Sequence, residues 1–123
     1  MSNKSKMYIL LKDDPKIDLG HLLLACAHAS LSGYLTFKEY ESYDIPPFNP
    51  TEDWAKESFR KVVCKVISKE FEQAKTYGVN MQDYRVMVEC GLDNMEVAIV
   101  VAPRNTDIDT SFNHFLKGLK LYK

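Results

Sequence analysis

A short hydrophobic run, a proline-containing turn and a long segment of small residues open this chain, and together they constrain its fold most strongly. The run at 7–11 is too short for a helix, and Pro15 prevents a helix from continuing through the turn. Beyond the turn, apolar residues recur at mixed three- and four-residue spacings, which predicts a helix over 19–38. Asp18 can cap this helix, and Gly20 lets its first turn approach a ligand closely. The chain therefore begins with a predicted strand, turn and helix.

The rest of the chain continues the alternation of strands and helices. Strands are predicted at 61–67, 84–90 and 96–102, and helices at 51–59, 68–77 and 106–118. Prolines predict a loop over 39–50, and Gly33 either lets the first helix pack closely or marks its end nearby. The link 91–95, rich in Asp and Asn, predicts a hairpin. This order predicts an α/β fold in which a four-stranded mixed sheet is flanked by helices.

Length and composition favour one folded domain. The 123 residues suffice for one core, and 46% of them are hydrophobic, which excludes general disorder. No run approaches the roughly 20 apolar residues that span a bilayer. We therefore expect a single domain over 1–123, a flexible tail at 1–6, a cytoplasmic location and no membrane contact. Three irregularly spaced cysteines, Cys26, Cys64 and Cys90, are expected to be buried free thiols.

The formal charge is balanced overall but unevenly spread. There are 16 basic and 17 acidic residues, which give a net charge of −1. Acidic residues dominate 39–57, whereas the C-terminal part carries Arg104, Lys117 and Lys120. A local basic face on a nearly neutral molecule would suit a partner that carries phosphates.

The order of several segments carries a family resemblance that no single motif carries alone. The segments are 20–29 (GHLLLACAHA), Asp53-Trp54, 60–66 (RKVVCKV), 70–74 (EFEQA), Glu89-Cys90-Gly91, 97–103 and 115–122. In this order they resemble the type II peptidyl-tRNA hydrolase family over nearly the whole chain. The link 93–96 and the ending 115–123 are similar to a divergent branch, the small peptidyl-tRNA hydrolase-domain proteins. The resemblance implies a single-domain, three-layer fold, tRNA as a partner and a homodimer.

The resemblance also implies a chemistry, the hydrolysis of the ester between a peptide and the terminal ribose of tRNA. That reaction needs an activated water, a group that stabilises the oxyanion and side chains that bind the phosphates of the tRNA. His28 matches the histidine in the family's first helix, His21 stands where the family has lysine, and Ala25 where it has an amide. His28 is thereby implied as the central catalytic residue. A half-buried structural role for His28 and an exposed surface role for His21 stay open.

The segment after the third predicted strand departs furthest from the family pattern. Glu89 stands where the family has aspartate, Leu92 where it has arginine, and Asp93 where it has threonine. Loss of the arginine removes a strong partner for phosphate or carboxylate groups. The resemblance implies that Glu89 and Asp93 assist His28 in catalysis, although Asp93 also suits a plain turn position.

Substrate binding is predicted at four further positions: the glycine at the start of the first helix, the histidine at the family's lysine position, and two lysines of the basic C-terminal part. These are Gly20, His21, Lys117 and Lys120.

Cys26 and His28 point to different faces of one helix and cannot share a zinc ion, so we expect neither a metal nor a cofactor. Two functions of different classes stay open: a peptidyl-tRNA hydrolase, and a non-catalytic binding module that uses the altered edge of the same fold.

Overall fold

A computed structural model describes residues 4–41 and 50–122 of the chain. The strands of this part are β1 (Lys6–Lys12), β2 (Arg60–Val66), β3 (Tyr84–Glu89), β4 (Met95–Val101) and β5 (Lys120–Leu121). Its α-helices are α1 (Leu19–Glu41), α2 (Pro50–Lys56), α3 (Ser68–Ala74) and α4 (Ser111–Lys117). A one-turn 3-10 helix, Cys90–Leu92, follows β3. Together with residues 93 and 94 it forms a link to β4 that we call the 90–94 turn.

The strands form one mixed sheet in the order β3-β4-β1-β2-β5. β1 and β2 are parallel, and the other neighbouring pairs are antiparallel. The predicted α/β class and the mixed sheet flanked by helices are confirmed, but the predicted number of four strands is wrong. The fifth strand, β5, pairs Leu121 with Cys64 and Lys120 with Lys65. A strand of two residues carries no alternating pattern, so only its pairing with a distant strand defines it.

Helices cover both faces of the sheet. Helices α1 and α2 pack over a first core cluster that includes Met7 and Ile9. Helices α3 and α4 pack over a second cluster, on the opposite face, that includes Tyr8 and Leu10. Because successive strand residues point to opposite faces, every residue of 7–11 is buried. This arrangement explains why the first strand is a continuous hydrophobic run.

Helix α1 passes without interruption through Gly33. A β-carbon built on Gly33 would lie 2.8 Å from Cγ2 of Val100 in β4. The missing side chain therefore lets α1 lie directly on the sheet, so close packing is the correct alternative for this glycine.

The predicted loop 39–50 is wrong at both ends, because α1 includes its first three residues and α2 its last. Residues 42–49 lie outside the described part of the chain.

The last helix begins five residues later than predicted. Oδ1 of Asn105 accepts a hydrogen bond from the backbone N of Asp107 at 3.0 Å. The hydroxyl of Thr110 then caps α4 by accepting from the backbone N of Asn113 at 3.1 Å. These local side-chain hydrogen bonds compete with helix formation before α4. Helix α3 is also shorter than predicted and ends three residues early.

The start of the chain is tied to the rest of the molecule. The backbone oxygen of Ser5 accepts a hydrogen bond from the Ser58 hydroxyl at 2.6 Å. Strand β1 begins at the last residue of the predicted tail 1–6, and residues 1–3 lie outside the described part. That residues 1–123 form a single domain stays a prediction. In the described ranges, no helix is long and apolar enough to cross a membrane.

The three cysteines differ in their surroundings, and all three are free thiols. Cys64 is buried in the second core cluster, as predicted, and this burial raises its pKa to about 11. Cys26 is half-buried and Cys90 is exposed. The predicted burial is wrong for Cys90, because this residue begins the 90–94 turn outside the covered part of the sheet.

Candidate active site

The first turn of α1 faces the 90–94 turn that follows β3. At the far end of the helix, the hydroxyl of Thr36 accepts a hydrogen bond from Nη1 of Arg85 at 2.8 Å. At the near end, the ring of His21 reaches Gly91. Helix α1 therefore runs antiparallel to β3 and brings its N-terminus to the end of that strand. This is the sheet edge at which the sequence predicts the functional site.

Asp18 holds the imidazole of His21 in place. Its Oδ1 accepts a hydrogen bond from the backbone N of His21 at 2.9 Å and lies 2.9 Å from Nδ1 of the ring. These two hydrogen bonds, the backbone one first, lower the pKa of the Asp18 carboxyl. The cap of the helix therefore also orients the ring, and Nε2 is the nitrogen that remains available.

Gly91 brings His21 and Glu89 into the same small space. A β-carbon built on Gly91 would lie 3.6 Å from Nε2 of His21 and 3.3 Å from Oε1 of Glu89. Because these distances add to 6.9 Å, the two atoms are no farther apart than that. Oε1 also accepts a hydrogen bond from the backbone N of Gly91 at 3.0 Å. A water molecule or a substrate oxygen bound between the two groups would lie near both of them.

Asp93 has the backbone geometry of a tight hairpin turn. Its φ is 55° and that of Asn94 is 59°, so two consecutive residues are left-handed. This combination is typical of a type I′ turn, in which Asp and Asn are favoured. The side chain of Asp93 is exposed, and among the described residues it makes no hydrogen bond with His28. The backbone of Asp93 therefore fits a turn position, and its catalytic role stays a prediction.

His28 lies in a different part of the same surface. Its side chain is exposed and lines an open groove of about 330 Å³. The other lining residues are Leu31, Ser32, Leu35 and Met87. Met87 precedes Glu89 by two residues in β3, and His28 follows His21 by two helical turns, about 10 Å along the axis. The structure thus brings His21, and not His28, to Glu89.

The whole chain is similar to one protein family. The family model described as "Peptidyl-tRNA hydrolase PTH2" matches residues 5–122. The chain belongs to this family. A peptidyl-tRNA hydrolase of Methanopyrus kandleri is 37% identical over 65 residues, which cover 53% of this chain and 50% of that protein. The chain therefore matches about half the length of this curated relative.

Two positions that the resemblance matches to polar residues of the peptidyl-tRNA hydrolase family are apolar in this chain and pack against its core. Ala25, at the position of the family's amide, is only 3% exposed and packs in the first core cluster. Leu92, at the position of the family's arginine, is half-buried against the same cluster. Both positions therefore add to the core and offer no side-chain hydrogen bond to a substrate. Polar side chains at this edge include those of Asp18, His21 and Glu89.

The predicted phosphate-binding lysines lie away from this edge. Lys117 ends α4 and Lys120 lies in β5, at the opposite side of the sheet from β3. Four strand spacings separate these sheet edges, which is roughly 19 Å. Both lysines are exposed, and Lys120 pairs directly across from Lys65. Within the described ranges, none of these three lysines forms an ion pair with a carboxylate.

The remaining predictions for the site concern Gly20 and metals. Gly20 lies in the first turn of α1, where a β-carbon would be 3.4 Å from Oδ1 of Asp18. Asp18 was predicted only as a helix cap, and its contact with the ring of His21 was missed. The spacing of Asp and His three residues apart at a helix start is the signal that indicates such a contact.

The described residues contain no group of three or more His, Cys, Asp or Glu side chains that could hold a metal ion.

Proposed function

We propose that this chain hydrolyses the ester between a peptide and the terminal ribose of tRNA. Membership of the peptidyl-tRNA hydrolase family supports the reaction, and the approach of His21 and Glu89 around Gly91 carries the assignment to this edge. An imidazole and a carboxylate that share one open space are the groups that activate water. The positive end of the α1 dipole at the same place favours the negative charge that develops on the ester oxygen.

We retain His28 and Asp93, with Glu89, as proposed catalytic residues that substitution experiments must test. His28 is exposed, so its imidazole is accessible to a substrate that lies along α1. Gly20 supports binding at the other end of this path, because it keeps the first turn of α1 open.

The phosphates of tRNA are proposed to contact Lys117 and Lys120. Cys64 belongs to the cluster under α3 and α4, so Lys65, next to it in β2, points to the α1 side of the sheet. Lys120 lies opposite Lys65 and points the same way. Lys65 and Lys120 are therefore adjacent cations on the face of the sheet that carries α1. This pair is suited to an RNA backbone that extends away from His21.

We also propose that the protein is a cytoplasmic homodimer. Helix α1 exposes Leu23, Leu31 and Leu35 to 62%, 62% and 49%. Their spacing in multiples of four residues aligns them along one side of the helix, which makes an apolar stripe that a second copy would cover. Light scattering on the purified protein tests this proposal, and a monomer that persists at high concentration would refute it.

The experiment that tests the function is hydrolysis of a purified N-blocked aminoacyl-tRNA. The wild type is compared with His28→Ala and Glu89→Gln, and with His114→Ala as a matched control. His114 is an exposed histidine on α4, on the other face of the sheet from α1. We expect turnover by the wild type and the control, and a loss of roughly 100-fold in Glu89→Gln.

The same assay decides between the two function classes. Absence of turnover by the wild type at high enzyme concentration, with the fold intact by circular dichroism, would contradict the hydrolase and favour the non-catalytic binding module. Turnover that is unchanged in His28→Ala would remove His28 from the mechanism without affecting the assignment to the reaction.

A further inference from the structure

The imidazole of His21 is held in one orientation by a carboxylate. Oδ1 of Asp18 lies 2.9 Å from Nδ1, and a carboxylate at this distance accepts the Nδ1 proton. In the neutral ring, Nε2 then has the lone pair and accepts protons. A lysine at this position, as in the family pattern, could also donate a hydrogen bond to Asp18, but its ammonium group has no lone pair with which to take a proton from water.

The available nitrogen points to the place where Glu89 also ends. Nε2 lies 3.6 Å from the position of a β-carbon on Gly91, and Oε1 of Glu89 lies 3.3 Å from it. The side chain of His21 is 30% exposed, so the ring is partly desolvated and still open to water. The charged groups that face it are Asp18, from its own capping turn, and Glu89, from the end of β3.

No comparable partner orients the other histidine of this helix. In the described part of the chain, the ring of His28 makes no hydrogen bond with a carboxylate, and its groove is lined mainly by Leu31, Leu35 and Met87. A base needs a fixed tautomer and a reacting atom within hydrogen-bond reach, and only His21 has the first of these.

From this geometry we infer that His21 is the acid and base of the ester hydrolysis and that Asp18 is its positioning residue. The inference rests on the proposed function. Nε2 takes a proton from water as the water oxygen attacks the ester carbonyl and forms the tetrahedral intermediate. The imidazolium then gives that proton to the ribose oxygen as the carbon–oxygen bond breaks. The peptide leaves as a carboxylic acid that ionises into solvent, and the neutral imidazole is restored.

Kinetics of three variants test the inference on the full chain with the N-blocked aminoacyl-tRNA. We expect His21→Ala to lower kcat by roughly 100-fold or more. Asp18→Asn is expected to lower kcat by about tenfold and to leave KM unchanged, because the ring is no longer held in one tautomer while the substrate contacts remain. His114→Ala is the matched control and should retain wild-type kinetics.

Nitrogen NMR of the imidazole rings gives a readout that does not depend on turnover. In the neutral ring of the wild type, we expect the Nδ1–H tautomer at His21, and in Asp18→Asn a mixture of tautomers. An active wild type whose kcat is unchanged within twofold in His21→Ala would overturn the inference and leave the hydrolase intact. The Nε2–H tautomer in the wild type would also overturn it. A wild type that does not turn over at all would instead overturn the proposed function.

Discussion

Gly33 and Val100 are in direct contact across the interface between helix α1 and the sheet. A β-carbon on Gly33 would lie 2.8 Å from Cγ2 of Val100 and 3.3 Å from Cε of Met7. The contact therefore sets how closely the helix approaches β4 and β1. Because α1 is continuous, the same contact helps to determine where its first turn meets the 90–94 turn.

Replacing Gly33 by Ala is expected to destabilise the protein by about 1–3 kcal/mol. The added methyl group would overlap Val100 and force the helix away from the sheet, which outweighs the gain in helix propensity. Urea unfolding followed by circular dichroism measures the change. Ser32→Ala, one residue earlier on an open part of α1, is the control and should be neutral or slightly stabilising. Equal stability of both variants would contradict the proposed contact.

A methyl group at Gly91 should lower activity at least tenfold without unfolding the protein. The β-carbon of Gly91→Ala would occupy the space between His21 and Glu89, and the φ of Gly91 is not in the left-handed region, so the backbone accepts alanine. We expect kcat to fall at least tenfold, with a melting temperature close to that of the wild type. Gly118→Ala, whose β-carbon would make an ordinary contact with Phe115, is the control. Full activity in Gly91→Ala would show that the reacting atoms lie elsewhere.

The three thiols should react with iodoacetamide in the order of their exposure. Burial raises the pKa of Cys64 to about 11, so near pH 8 only about one in a thousand of these thiols is ionised. Its reactivity should appear only at strongly alkaline pH or after unfolding. Burial also raises the pKa of half-buried Cys26, whereas exposed Cys90 should react first. Mass spectrometry at successive times measures the order, and early labelling of Cys64 would contradict its burial.

Alkylation of Cys90 should also lower the activity of the enzyme. The adduct would stand beside Gly91 and should reduce turnover in step with the fraction labelled. The variant Cys90→Ser, which removes the reactive thiol, should remain active after the same treatment. Inactivation of this variant at the wild-type rate would assign the effect to another cysteine.

Replacing Lys120 by Ala should weaken tRNA binding without slowing the chemical step. A lysine that neutralises one phosphate releases about one counterion, so the slope of log affinity against log salt should decrease by about one. KM should rise at low salt, whereas kcat should stay constant. Lys56→Ala is the control, because Lys56 already lies 3.8 Å from a carboxylate oxygen of Glu52. An unchanged salt slope would exclude Lys120 from the RNA-binding surface.

The order and type of most elements follow from local patterns in the amino-acid sequence. The buried run at 7–11, Pro15 and the spacing of apolar residues after Asp18 are local signals, and the strand, turn and helix that they predict are present. The Asp- and Asn-rich link likewise formed the predicted hairpin, because left-handed residues are a local preference of these side chains. The hydrogen bonds before α4 are also local. The start of this helix is harder to predict because Asn and Thr side chains can either cap a helix or bond to the backbone of a preceding turn.

Contacts between residues that are distant in the chain depend on how the elements pack. The fifth strand exists because Lys120 and Leu121 find a partner in β2, and no pattern of two residues can specify a pairing with residues more than fifty positions away. The approach of His21 to Glu89 likewise depends on how α1 crosses the sheet. That crossing is set by the packing of Gly33 on Val100, which is a property of volumes in three dimensions. The residue types of the site can therefore be read from the chain, but their partners follow from the packing of one helix.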